Sequence, residues 1–258
     1  MKERKVTKAE KLAAGILLLR GKSLTRRLAG LAATHAALAA DRAGDTRLAL
    51  LGGLMTQSDA FADEARRAIR DSRAQVREDA RDRLRKEIAA LGIVWIASGL
   101  HFGDRHAADD VSAHAAADSL AAQWRGLAMA RALKAQRLDE DVRAAIRATG
   151  PAMVPRVART AQTEVAQAYN DEHRSALREA VQFDKSFRDG EFASRVETLV
   201  KRRWSALLDA CSECWPLDGE TVGLYEAFTG GEEPGFVHPH CRCVEVFVSE
   251  EGAKAEAA

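Results

Sequence analysis

The sequence predicts an α+β protein, with a mostly helical N-terminal region containing a long amphipathic helix or helical hairpin, then a small mixed C-terminal unit clipped by a cluster of cysteine and histidine. Three observations carry that expectation. Hydrophobic residues make up 47% of the chain but aromatic ones only 5%, and Ala and Leu dominate the apolar share, which favours helix. Apolar residues recur every three or four positions through most of the chain. All four cysteines fall between Cys211 and Cys243, in a segment whose texture shifts toward Val, Trp and glycine turns.

From Leu12 to Leu54, Leu and Ala lie at mixed helical spacing with Gly15, Gly21, Gly30, Gly44 and Gly52-Gly53 between them. Short helices with breaks are expected there. Ser58 or Asp59 can cap a long helix whose stripe runs Phe61, Ala65, Ile69, Ser72, Val76, Ala80, Leu84, Ile88 and Leu91, with charges between, the pattern of an arm packing on one partner. Gly92 or Gly99 can end or bend it. A second block runs from Asp109 through Trp124, Leu127, Leu133 and Leu138 to Ala148, and Thr149-Gly150-Pro151 is expected to close it. After Pro155 a further helix, Arg156 to about Ala180, carries Val157, Ala161, Val165, Ala168 and Tyr169 on one side. Asp189-Gly190 marks a turn, and Val196 to Leu208 is rich in Val, Leu and Trp. Val244 to Val248 has the look of a closing strand. The division expected is residues 1–150 as a helical docking region, 151–248 as the C-terminal domain, and 249–258 as an acidic, disordered tail.

Charge is balanced in bulk, 39 Lys plus Arg against 38 Asp plus Glu, so net charge names no partner. Its distribution is uneven. Residues 1–28 hold nine basic and two acidic side chains, a local +7, whereas 205–258 holds eleven acidic and two basic, a local −9. A basic arm of this kind can meet nucleic acid or an acidic protein surface; a solvated helix start has the same composition. No signal peptide is expected, because Met1 is followed by charged residues and the apolar run Leu12 to Leu19 is short and lacks a cleavage site. The most apolar stretch, Ile88 to Leu100, falls below the roughly 20 residues of a membrane span. Membrane partners are therefore not expected, and clustered Cys with His in a reducing compartment points to metal before disulfide.

The cluster reads Cys211-Ser-Glu-Cys214, then His238-Pro-His240-Cys241-Arg-Cys243. A C-x-x-C pair can offer two thiolates from one turn, and a second ligand pair from a distant segment completes a tetrahedron. Mixed thiolate and imidazole donors suit zinc. The candidate metal ligands are Cys211, Cys214, His238, Cys241 and Cys243. Four thiolates form one possible set, since Cys241 and Cys243 face the same side if extended, and His238 in place of one of them is another; His240 fits least. The plainer alternatives are reduced thiols or a labile disulfide. A structural role is expected: H-E-x-x-H and H-x-E with P-C-x-x-C are both missing, no βαβ setting surrounds the C-x-x-C, and no catalytic residue is assigned. Asp218, Glu220 and His240 would be the groups available to an open-position metal. The remaining histidines, His35, His101, His106, His114 and His173, sit in helical segments and are expected at the surface or in caps. Arg66, Arg67, Arg70, Arg73 and Arg77 alternate with acids as solvated i,i+4 pairs would. Trp204 and Trp215 flank the cluster as the small unit's expected core.

In order along the chain, Thr163-Glu164 with Ala168-Tyr169-Asn170, then Trp204 and Asp209, Cys211 and Cys214, Leu217-Asp218-Gly219, and His238-Pro239-His240-Cys241-Arg242-Cys243 resemble the phage Mu F-like minor head protein family in sequence and approximate spacing. The likeness covers about Pro155 to Val248. Gln162 stands where the family commonly has Arg, and Gly235-Phe236-Val237 replaces a proline pair before the closing His. The resemblance implies a phage or prophage head-morphogenesis protein, made with the procapsid in the host cytoplasm, associated with portal and capsid or scaffold proteins, and packaged in the virion interior. Some relatives carry a toxin or enzyme domain after this module; none is expected here. The other functions considered are a metal-dependent hydrolase or nuclease acting during phage entry, and a DNA-binding regulator working through the basic arm.

Overall fold

In the computed structural model the described residues are 6–43, 47–95, 106–138, 140–206, 212–238 and 241–249. They form helices α1 (Lys8–Asp41), α2 (Arg47–Ala90), α3 (His106–Arg137), α4 (Val142–Arg147), α5 (Thr149–Phe187) and α6 (Glu191–Leu199), and strands β1 (Val200–Ser205), β2 (Thr221–Gly223) and β3 (Val244–Ser249). The protein is α+β, as expected. Gly44, Gly99, His101 and the tail from residue 250 lie outside the described residues, and no helix among those described is long and apolar enough to cross a membrane.

The helices are fewer and longer than the glycines suggest. Thr7 and Glu10 open α1 with a reciprocal capping box: the Thr7 N–H donates to Glu10 Oε2 at 2.6 Å and the Glu10 N–H to Thr7 Oγ1 at 3.2 Å. The helix then passes through Gly15, Gly21 and Gly30 without a break. Each glycine costs a helix up to about 1 kcal/mol relative to Ala, but Leu24, Leu28, Ala32, Ala36 and Ala40 are buried at four-residue spacing and packing outweighs that propensity.

In α2 the expected stripe from Phe61 to Ile88 is buried throughout. Its start is corrected: the helix begins at Arg47, and Ser58 is a buried interior residue whose hydroxyl donates to the Ala121 carbonyl. Gly92 does end it. At φ +70° the glycine sits in the left-handed region, its N–H donating to Ala89 O and that of Ile93 to Ile88 O, with Ile88 and Ile93 packed in the same core. The Arg face is also corrected. Arg73 and Arg77 are buried, and Arg70 and Arg77 pair with Asp110 and with Asp171 and Glu172 on other helices.

Thr149-Gly150-Pro151 starts a helix where a stop was expected. The break lies earlier, before Asp141, whose carboxylate caps α4 by accepting from the N–H groups of Arg143 and Ala144. Pro151 stands in the first turn of α5, where its missing N–H is harmless, and the helix continues through Pro155. Gly150 is needed for contact: a Cβ there would lie 2.6 Å from Ala33 Cα.

By packing, the chain forms two compact units, 1–19 with 73–104 and 165–258, and 20–72 with 105–164. The second is helical. Its core includes Leu50, Leu54, Phe61, Ile69 and Trp124, with the indole N–H of Trp124 donating to Ala32 O. The first packs α6 and a three-stranded antiparallel sheet, order β2-β1-β3, on parts of α2 and α5 through Leu84, Ile88, Leu177, Val181, Phe192, Val196 and Phe247. In that sheet Arg202 faces Phe247 and Trp204 faces Glu245. The closing strand is where the sequence placed it.

Candidate metal centre

Strand β1 alternates Val200, Arg202 and Trp204 on one face. Trp204 is fully buried and meets Phe228 edge-on at 5.3 Å, and with Ala206, Cys214, Cys241 and Cys243 these residues form a small second core. Trp215 does not belong to it. That residue is 49% exposed, because it opens the 3-10 turn Trp215–Leu217 pointing outward while its neighbour Cys214 points in.

Two turns present the ligands. Leu217-Asp218-Gly219 folds back on the end of β1: the Asp218 carboxylate accepts from the Ala206 N–H at 2.8 Å, the Gly219 N–H donates to Trp204 O, and Gly219 takes φ +85°. This fixes Cys214 just upstream. The second turn, Pro234-Gly235-Phe236, closes through the Phe236 N–H on Glu233 O, and the Cys241 N–H then donates to His238 O.

The result is a cluster of Cys214, His238 and Cys241 whose ligand atoms all lie within 4.8 Å of one another. Cys214 Sγ is 3.2 Å from His238 Nε2 and 3.7 Å from Cys241 Sγ. Both cysteines are buried, and His238 is half-buried. These three side chains could hold a metal ion. Cys243 is buried beside them. Its thiol hydrogen-bonds to Cys241 and pulls the Cys241 thiol below its ordinary value, against the opposing effect of burial. The same contact, with burial, pushes the Cys243 thiol up. Cys211, His240 and Asp209 lie outside the described residues.

Polar side chains that the sequence left without a role support the cluster. Arg202, with no exposed surface, donates through Nε and Nη2 to Glu245 at 2.9 and 2.6 Å and through Nη1 to Glu226 O, and it pairs with Glu233, which also meets Arg174. Its guanidinium lies 4.8 Å from the centre of the Phe228 ring. Asn170, also fully buried on α5, donates through Nδ2 to Pro234 O at 3.1 Å and to Cys243 O at 2.8 Å, and its Oδ1 accepts from the Glu245 N–H at 2.9 Å. The signal for the ion pair was a charge inside each strand, Arg202 in β1 and Glu245 in Val244-Glu-Val-Phe-Val248. Asn170 was visible only as part of Ala168-Tyr169-Asn170.

Two histidines expected at the surface are buried. His173 stacks between Tyr169 and Phe247 at 5.4 and 4.6 Å with Nε2 3.0 Å from Glu87 Oε2, and His35 meets Gln57. A long polar helix hides such residues because periodicity alone does not distinguish its packed stripe from the polar positions beside it. Burial raises the Glu87 carboxyl, but His173, Arg83 and the Phe247 N–H together hold it below the ordinary range. His114 is exposed, 3.1 Å from Asp118, and the His106 side chain is not among those described.

Compared with known proteins, the chain matches no family model, no curated protein and no solved structure.

Proposed function

We propose that this chain is a non-enzymatic assembly protein of phage or prophage heads, of the Mu F-like minor head type, whose cysteine and histidine cluster holds a structural zinc ion. The observation that carries the reading is the meeting of motif residues that lie far apart in sequence. Asn170 bonds the two flanks of the His238 to Cys243 segment, Trp204 packs on the cysteines, and the Leu217-Asp218-Gly219 turn is pinned to the end of β1. Such interlocking explains why those residues would occur together in this order.

Zinc suits the donors. Two thiolates each about 2.3 Å from a tetrahedral zinc stand about 3.7 Å apart, which is the Cys214 to Cys241 separation of 3.7 Å. Bound there, the ion supplies a cross-link between the turn after β1 and the segment before β3, the kind of staple a small mixed unit with few apolar residues uses. Cys214, His238 and Cys241 would hold it, with Cys243 or Cys211 as the fourth donor. The helical regions are assigned to docking on portal and capsid or scaffold proteins, and the basic N-terminal segment to packaged DNA. The protein would then be made in the host cytoplasm and carried in the virion interior.

Co-sedimentation tests the assignment. The chain, expressed with head and portal proteins, should travel with assembled heads and be lost from heads that lack portal. A chain that stays in the soluble fraction while heads assemble, or that turns over DNA in a manner abolished by Asp218→Ala, would contradict it.

A further inference from the structure

We infer that Asn170 is the positioning residue of the metal centre: one buried carboxamide fixes the backbone on both sides of the ligand segment, so that His238 and Cys241 are already aimed before a cation binds. This rests on the metal reading above. A carboxamide has two N–H donors and an acceptor oxygen. Here the nitrogen serves two carbonyls, Pro234 O ahead of His238 and Cys243 O behind Cys241, and the oxygen takes the Glu245 N–H where β3 begins. The three contacts close a clasp around residues 234–245. They also fix the amide's orientation, since the flipped form would set its oxygen against two carbonyl oxygens.

Neighbouring residues hold the clasp rigid. On the same turn of α5, Asp171 and Glu172 pair with Arg77, Glu172 also with Arg81, and His173 lies against Glu87, all three on α2. From the loop side, Gly235 approaches so closely that a Cβ would lie 2.7 Å from Asn170 Nδ2, and its φ of +85° disfavours any side chain. No other residue type combines the required donors, acceptor and length. An aspartate in place of Asn170 would oppose a carboxylate to both carbonyls. Residues that orient metal ligands from behind typically change metal affinity by about 10- to 100-fold when altered.

The test compares Asn170→Asp, Gly235→Ala and Ser58→Ala in the full chain, under reducing conditions. Zinc affinity is read by competition with a chromophoric chelator, coordination geometry by the visible spectrum of the cobalt(II) form, and fold by melting of the metal-free protein. Ser58→Ala removes a buried hydrogen bond in the helical unit and serves as a control that loosens the fold away from the cluster. The expected result is zinc binding weakened about 10-fold or more in N170D and G235A, with altered cobalt bands, and wild-type affinity and bands in S58A. Should N170D fail to fold, Asn170→Ala decides, because it removes the same three contacts without adding a charge. N170D or G235A chains that melt lower yet keep wild-type affinity and cobalt bands would overturn the inference, reducing Asn170 to a structural residue. Wild-type chain that binds neither zinc nor cobalt would overturn the metal reading itself, and the inference with it.

Discussion

The helical unit of residues 20–72 and 105–164 and the sheet portion around the cysteines pack their interiors by opposite means. The first buries Leu24, Leu28, Leu54, Phe61, Ile69 and Trp124 at helical spacing, with single buried polar groups such as His35, Gln57 and Ser58 among them. The second buries Asn170, Arg202, Glu245 and two ligand cysteines, brought together from segments far apart in sequence. A regular apolar stripe is redundant, since neighbouring turns repeat its contacts. A polar clasp is specific, because each buried group depends on one partner and costs free energy if that partner is removed.

This contrast can be broken by substitution. Trp124→Ala and Arg202→Met should have the largest effects, about 3–5 kcal/mol each by chemical denaturation. Only the second should be rescued by a partner change: Arg202→Met with Glu245→Leu replaces the fully buried ion pair by apolar groups and should recover part of the loss, with Glu233 and the Glu226 carbonyl still lacking Arg202. A double variant as unstable as the single would show that the pair contributes by more than mutual neutralisation.

Next in size is an acid-sensitive contact. Glu87 is held below its ordinary value of 4.5, so its carboxylate stabilises the fold fully above that range, and the contribution fades as pH falls through the lowered value. Glu87→Gln should cost about 1–3 kcal/mol near neutral pH, and wild type and variant should converge as acidification carries Glu87 through its lowered value. A constant gap across the titration would show that the charge on Glu87 contributes nothing.

Of similar or smaller size are two glycine substitutions with opposite signs. Gly150→Ala collides with Ala33 backbone and should destabilise by about 1–3 kcal/mol. Gly30→Ala meets nothing within 4 Å in mid-helix and should stabilise by up to about 1 kcal/mol. Thermal melting of the pair separates packing from propensity in the same unit.

What could be read from the sequence follows the same division. The stripe of α2, the turn at Asp189-Gly190, the stop at Gly92 and strand β3 were readable because periodicity and turn chemistry are local. Gly15, Gly21 and Gly30 misled because propensity is weak beside the burial of Leu24, Leu28 and Ala32. Thr149-Gly150-Pro151 misled because proline and glycine serve a helix start as well as a stop, and the contact of Gly150 with Ala33 is long-range. At the cluster, residue types and spacing pointed to Cys211, Cys214, His238, Cys241 and Cys243, and among the described residues the structure brings Cys214, His238 and Cys241 together. Asn170 and Arg202 were left without a role and His173 was placed at the surface, since a buried polar group is recognised by its partner, and their partners lie dozens of residues away.

Whether a metal staples the sheet portion is decided by the zinc content of the reduced, purified chain, followed by melting with and without a strong chelator. About one zinc per chain is predicted, with a lower melting temperature once the metal is removed. Less than a few tenths of a zinc per chain, with melting unchanged by the chelator, would contradict it.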